Sequence, residues 1–413
     1  MPLKTCAMRG LRAAVVAVGA LGVGLAAQAT SPPPGLSLSD AFSRAIDANP
    51  ALRAARLQRP IDTAGIAVAG ERPNPELAYE LSKETPRQSI GVTLPIELGG
   101  KRSSRLDLAR ATAAVGEAEL ERVLSDTRND VRRAYFDLVA ARLRVDLLDE
   151  VRALADRARA AAAARVNAGD VPRSDLTQAE LAVATSDGDL LAARGEAAAA
   201  RVALNILLGQ PADTPLTLSD SLTDGLLITA ADAAKVAETS NTELQVLDRQ
   251  IAEQRMRIAL AKAMTKPDVA AGTAFTYDAE PEFRYGWRLS AGVTIPVFTA
   301  HRSAVVVEDA TLARLSAERQ AALARISGGV AVAIERATAA RAQVAQYQDT
   351  ILPLAVEAER QAQAAYAGGQ TGLPALVQAL QTARDTRQRG LQAGLDYQHA
   401  LADLERAIGA PIK

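Results

Sequence analysis

The sequence predicts a mainly α-helical fold with a membrane β-barrel, built from a helix–β-hairpin–long helix–helix unit that occurs twice. Three observations predict it. The 413 residues are 48% hydrophobic but only 3% aromatic, because alanine supplies much of the apolar fraction. Such alanine-rich sequence, studded with Leu, Val, Arg and Glu, favours long helices in close contact. The chain also matches itself in order, and stretches of heptad spacing alternate with short runs of period two.

The internal match rests on landmarks rather than on alanine content. Asp40-Ala41 and Asn49-Pro50-Ala51-Leu52 recur as Asp232-Ala233 and Asn241-Thr242-Glu243-Leu244, an offset of 192. Gly91-Val92-Thr93-Leu94-Pro95-Ile96 recurs as Gly292-Val293-Thr294-Ile295-Pro296-Val297 at 201. Gly169, Leu176 and Gln178 recur as Gly369, Leu376 and Gln378 at 200, and Leu208-Gly209 as Ile408-Gly409. The step from 192 to 201 places about nine extra residues in one loop of the second half. The units are then 30–215 and 216–413, with helical hairpins over 101–208 and 301–408.

Residues 1–29 read as a secretory signal peptide. Lys4, Arg9 and Arg12 precede an apolar run from Ala13 to Ala26, and Ala27-Gln28-Ala29 supplies a small-residue cleavage pattern before Thr30. A membrane anchor is the alternative, but the run is too short to span. Cys6, the single cysteine, would leave with this segment, so no disulfide or thiol chemistry is expected. No later stretch reaches the roughly 20 apolar residues of a spanning helix. An exported chain of this kind is periplasmic, secreted or a β-barrel in the outer membrane. The formal charge of -1 argues against a nucleic-acid partner.

From Lys101 to Asn167 no proline interrupts the chain, and Leu124, Val131, Leu138 and Val145 recur every seventh residue. After Gly169 the spacing continues through Leu176, Val183, Leu190, Ala197 and Leu204. Sustained heptads with alanine companions mean rods packed as coiled coils. Strands are expected near 75–83, 88–98, 267–278 and 285–298. In each, one parity is apolar, as in Leu77, Tyr79 and Leu81 or in Trp287, Leu289, Ala291 and Val293. That alternation suits barrel strands facing lipid. Four strands cannot close a barrel, and an open edge is not tolerated in lipid. Either several chains combine, or the hairpins are half-buried pieces of a soluble domain. Trp287, Tyr285, Tyr277, Phe275 and Tyr79 are correspondingly an interfacial girdle or hairpin core.

This twice-repeated order resembles the TolC-like outer membrane efflux family over nearly all of the chain after the leader. The marks are Thr93-Leu94-Pro95-Ile96 with its echo Thr294-Ile295-Pro296-Val297, and the turn from Arg165 to Asp175, similar to the family's R-x-x-x-G-x-x-x-x-[ST]-D pattern. Gly99-Gly100-Lys101-Arg102 looks like the heavy-metal-efflux branch. The resemblance implies a homotrimer with a twelve-stranded barrel in outer-membrane lipid and a long periplasmic α-helical barrel. It implies a periplasmic adaptor at the helix tips and an inner-membrane pump beyond it. The chain would be a passive exit duct for metal ions or drugs, without cofactor and without catalysis.

By the same resemblance, Arg165, Gly169, Asp175, Gly369, Ala375 and Gln378 are the candidate tip residues, for adaptor contact or gating. The second tip departs from the family. Ala365 and Ala375 stand where the first tip has Arg165 and Asp175, and Ala375 and Gln378 occupy positions where the family often carries an acidic ring. Asp175 and Glu180 are possible substitutes. For Arg165 and Asp175 the plainer reading is helix capping and an exposed ion pair. His301 and His399, the only histidines, lack partners at metal-ligand spacing. Neither a catalytic triad nor a phosphate loop is present in the sequence. The rival class is a periplasmic coiled-coil adaptor or structural protein. Adaptors, however, usually offer one helical hairpin, whereas this chain has two.

Overall fold

The structure, a computed structural model, describes residues 35–225, 228–281, 283–298 and 301–412. Residues 1–29, the expected signal peptide with Cys6, lie outside the described residues. Each half begins with a short capped helix. Ser37 accepts from the Asp40 amide (3.2 Å) while the Asp40 carboxylate reaches back to the Ser37 amide, starting α1 (Leu38–Ala48). Thr229 caps α6 (Ala230–Ser240) by accepting from the Asp232 amide (3.3 Å), and its hydroxyl also meets the Asp232 carboxylate (2.6 Å).

Next come α2 (Pro50–Arg56) and α3 (Gln58–Ala69) in the first half, and the single α7 (Thr242–Met264) in the second. Pro60 accounts for the break near Leu57, because its ring opposes the carbonyl of Arg56 four residues back. The matching residue in α7 is Ala252, which carries no such conflict.

Four strands follow in two hairpins: β1 (Glu76–Leu81) with β2 (Gln88–Ile96), and β3 (Asp268–Ala279) with β4 (Phe283–Thr294). They form one antiparallel sheet in the order β1-β2-β3-β4. The nine residues by which the halves differ do not make a longer loop, as the offset had suggested. They lengthen β3 and β4 to 12 residues each, against six and nine in the first hairpin. An offset counts residues but does not say whether they extend a ladder.

Beyond the sheet run the rods. α4 (Lys101–Ala168) has 68 residues, about 100 Å at 1.5 Å per residue, and α5 (Arg173–Leu207) returns along it. In the second half α8 (Arg302–Gln346) leads through a π-helical turn at Tyr347–Ile351 into α9 (Leu352–Ala367), and α10 (Leu373–Ile408) returns. The π turn sits where Pro353 would otherwise clash with the carbonyl of Asp349. α4 packs on α3 and α7 toward the sheet, and on α5 and α10 along the rest of its length.

Two apolar cores lie at the waist, and the duplication relates them. Ala41, Ala45, Leu204 and Leu208 are buried in one, and Ala233, Ala237, Leu404 and Ile408 take the same places in the other. Asn49 caps α2 through Ala51 and Leu52 and donates to the Leu207 carbonyl (2.9 Å). Asn241 repeats this with Glu243, Leu244 and Ala407 (2.9 Å). Both are buried and fully satisfied, so each locks the start of one helix to the end of another.

Candidate functional site: a two-faced sheet and two helix tips

The sheet register puts every large apolar strand residue on one face. Leu77 pairs with Val92 and Tyr79 with Ile90. Ile90 in turn pairs with Phe275, and Ile96 with Val269. Phe275 pairs with Trp287 and Val269 with Val293. Opposite lie Gly91, Thr93, Gly272, Ala274, Thr276, Ser290 and Gly292, with Glu76, Glu80, Arg284 and Arg288. That second face is crowded: a Cβ on Gly91 would meet the Ala274 methyl at 3.1 Å, and one on Gly272 the Ser290 hydroxyl at 2.5 Å. Small residues on a crowded face and large ones on the open face are what a sheet curling toward the small side requires.

The apolar face is bare. Trp287 is 77% exposed and Leu289 85%. Helices therefore do not cover these hairpins, and the aromatic residues are not their core. Phe275 meets Trp287 edge-on at 5.4 Å and Tyr277 stacks on Tyr285 at 5.9 Å, forming an aromatic band at the hairpin end of the sheet. A continuous apolar face with aromatic residues gathered at one level is a lipid-facing surface. Among the described residues, no helix is long and apolar enough to cross a membrane.

The sheet joins the rods at Gly99-Gly100-Lys101-Arg102. Gly99 and Gly100 adopt φ of 72° and 79°, which L side chains resist. Lys101 is buried and binds Asp268 at 2.6 Å, while the Asp268 carboxylate also accepts from the Leu98 amide. Arg102 donates to the Gly70 carbonyl, and Arg105 clasps Glu97. In the second half His301 takes the place of Gly100, at φ 52°.

At the opposite ends are the tips. Gly169 and Gly369 adopt φ of 81° and 72° and close matching caps. Asp170 donates to the Arg165 carbonyl and Gln370 to the Ala365 carbonyl, each at 2.9 Å. A Cβ at either glycine would meet nothing, so backbone conformation alone selects glycine there. Arg165 and Asp175 form no ion pair among the described residues. Instead the Arg165 guanidinium lies over the ring of Tyr366, 5.2 Å from its centroid. Tyr366 is buried with Ala162, Ala179, Leu373 and Leu376, which packs the two tips together. Asp175 sits half-buried in the first turn of α5, where a negative charge suits the helix dipole.

Ala375 and Gln378 are exposed on α10, and Glu180 on α5. Gln378 lines a cavity of about 340 Å³ with Gln178, Glu359, Arg384 and Arg387. There the two arginines tie the helices together. Arg387 binds buried Glu359 of α9 at 2.6 Å and reaches Glu150 of α4 at 3.6 Å. Arg384 binds Asp189 of α5 at 2.8 Å. Sequence reading missed this clasp and Tyr366. The available signal was an asymmetry, since the first tip has Val166 where the second has a rare tyrosine.

No group of three or more His, Cys, Asp or Glu among the described residues is placed to hold a metal ion. His399 pairs instead with Asp137 at 2.9 Å.

A four-stranded sheet with a lipid face, carried on rods of about 100 Å, defines an outer-membrane channel subunit with a periplasmic helical extension. The sequence model for "Outer membrane efflux protein" matches residues 41–210. The cobalt-zinc-cadmium resistance protein CzcC of Cupriavidus metallidurans is 27% identical over 379 residues, covering 91% of this chain and 90% of that protein. Among solved structures, CusC superposes with a TM-score of 0.77 at 16% identity, over 90% of this chain and 92% of that one. The CmeC outer membrane channel of Campylobacter jejuni superposes with a TM-score of 0.75 at 14% identity, over 91% and 86%. In sequence the chain resembles the outer membrane efflux proteins over residues 41–210, and its fold is that of solved outer membrane channels.

Proposed function

We propose that the chain works as a homotrimer, a passive duct with no chemistry of its own, and that its cargo is divalent metal cations. An inner-membrane pump delivers the cargo through a periplasmic adaptor that meets the helix tips. Arg165, Gly169, Asp175, Gly369, Ala375 and Gln378 form the surface where that contact and any gating occur.

The observation that carries the trimer is the sheet itself. It has one apolar face, and both of its edge strands, β1 and β4, are unpaired on their outer sides. Open edges are not tolerated in lipid, and three copies supply the twelve strands of a closed ring. Exposed apolar residues on the helices support the same assembly: Leu57, Ile61 and Val68 at α2 and α3 in the first half, and Val306, Val307 and Val332 on α8 in the second. The metal reading is supported by the likeness to CzcC, named for cobalt, zinc and cadmium resistance.

Two measurements test the reading. The mass of the detergent-solubilised protein should be that of three chains. Deleting the gene should lower tolerance to cobalt, zinc or cadmium, with drug tolerance unchanged. A monomer that stays in the membrane overturns the assembly, and loss of drug tolerance alone overturns the cargo.

A further inference from the structure

The two edge strands carry opposite charges on the same face. On the small-residue face β1 bears Glu76 and Glu80 and no base, whereas β4 bears Arg284 and Arg288 and no acid. In the rows that β1 spans, the central strands place only Ser89, Gly91 and Thr93, then Gly272, Ala274 and Thr276, on that face. Both acids and both arginines are exposed, and none of the four forms an ion pair among the described residues. Arg284 does lie over Tyr285, at 5.5 Å. In these rows charge is thus absent from the middle and concentrated at the borders, acids on β1 and Arg288 on β4; Arg284 lies one row further on, level with Asp278 of β3.

We propose that these four residues form the seam between copies: Glu76 and Glu80 of one chain face Arg284 and Arg288 of the next, on the lumen side of the barrel. The proposal rests on the ring assembly given above and adds the residues that direct it. In a closed barrel β4 of one copy lies antiparallel to β1 of the next, since the strands alternate in direction through the sheet. Both pairs are spaced by four residues, so one antiparallel register opposes Glu76 to Arg288 and Glu80 to Arg284 together. Strand tilt shifts that register, but diagonal neighbours in a sheet lie only about 7–8 Å apart. Over a wide range of even shifts an acid therefore stays opposite or diagonal to an arginine.

The pattern also excludes wrong assemblies. Two β1 edges would set acid against acid, and two β4 edges arginine against arginine, and like charges directly opposite destabilise a sheet. Only the unlike edges match, and unlike contacts generate rings rather than two-fold dimers. An unpaired strand edge is a template for any other strand, so a charge code that admits one partner guards it during assembly.

Charge reversal tests the seam. Glu76→Arg with Glu80→Arg, and separately Arg284→Glu with Arg288→Glu, should each lose the trimer at temperatures where the wild type keeps it. Combining all four changes should restore it. In case the reversed chains do not fold, Glu76→Cys and Arg288→Cys in a Cys6→Ser background should yield a covalent trimer with a bifunctional thiol reagent, while each single cysteine yields none. Doubles that keep the wild-type dissociation profile, a quadruple variant that fails to recover while the doubles fold, or no cross-linked product from a trimeric cysteine pair would overturn the seam and leave the ring standing. A wild-type chain that is itself monomeric overturns the ring.

Discussion

The guanidinium of Arg165 lies 5.2 Å from the ring centre of Tyr366, and so the end of the first long helix rests on the end of the second. The tie is internal to one chain. It joins α4 to α9 across the duplication, next to the cavity that Arg384 and Arg387 close from the α10 side. The two tips therefore move together or must first part.

A cation–π contact contributes at least about 0.5–1 kcal/mol, enough to shift an opening equilibrium about two- to five-fold per chain. We expect Arg165→Ala to leave membrane insertion and assembly intact and to raise single-channel conductance in planar bilayers. Tyr366→Leu, which keeps apolar bulk under the guanidinium, should behave the same way. If Arg165→Ala conducts as the wild type does while Tyr366→Leu does not, the tyrosine acts by packing alone.

Asn49 and Asn241 should be equally sensitive. Each caps a helix and donates to a carbonyl ending another, and each is buried. Losing a cap and a buried hydrogen bond costs about 2 kcal/mol. Asn49→Ala and Asn241→Ala should lower the thermal midpoint of the solubilised protein by similar amounts. Asn49→Asp keeps the acceptor for Ala51 and Leu52 but loses the donor to Leu207, and should fall between. A large effect in only one half would mean that the two waists do not bear the structure equally.

How far the sequence foretold this fold depends on the kind of contact. Heptads located Val131, Leu138 and Leu204 correctly in the interior, since a rod buries one stripe whatever lies beyond it. Strand parity sorted the sheet faces for the same reason. The tip glycines were legible because reversing a helix needs positive φ. Tyr366 was not, because Arg165 was read against Asp175 across its own turn, and periodicity does not say which hairpin packs on which. His301, without partners at metal-ligand spacing, was legible only as a structural or surface residue. Its role is conformational, in the place that Gly100 fills in the first half.

That comparison makes a prediction at the joints. A non-glycine residue in the left-handed region costs about 1–2 kcal/mol. His301→Gly should therefore stabilise the protein by about 1 kcal/mol, and Gly100→Ala should destabilise it by a similar amount. Gly99→Ala should cost more, since its Cβ would collide with the Lys266 side chain. Thermal melts of the three variants would check the order, and a destabilised His301→Gly would show that the imidazole makes a contact worth more than the strain.

Alkaline pH should loosen the waist. Burial pushes the Tyr135 phenol above its ordinary value of 10.0, outweighing the backbone amide of Asp220 that favours the anion. Its hydroxyl donates to the Leu36 carbonyl at 2.7 Å, which only the neutral phenol can do. Below about pH 10 both folded and unfolded chains hold the proton and the contribution is complete. Above it the unfolded chain ionises first, and stability falls as pH rises through the folded value. Burial raises Tyr397 as well, so Tyr135→Phe should remove only part of this alkaline loss. A denaturation profile whose alkaline slope is unchanged in Tyr135→Phe would assign the effect to other groups.

The sheet offers the sharpest division between neighbouring residues. Leu289 and Val293 lie on the apolar face, 85% and 60% exposed, whereas Ser290 and Thr294 lie on the small-residue face. In a barrel wall the first pair meets hydrocarbon and the second meets water. An arginine on the lipid side near the bilayer centre costs about 2–4 kcal/mol, falling to about 0–1 near the interfaces. Leu289→Arg, closer to the middle of the strand, should reduce folded protein in outer-membrane fractions more than Val293→Arg, which lies near its end. Ser290→Arg should insert normally and reduce conductance, because three copies would add three cations to one lumen. If the changes at 289 and 290 reduce folded protein equally, the two faces do not meet different solvents, and the sheet is not the wall of a pore.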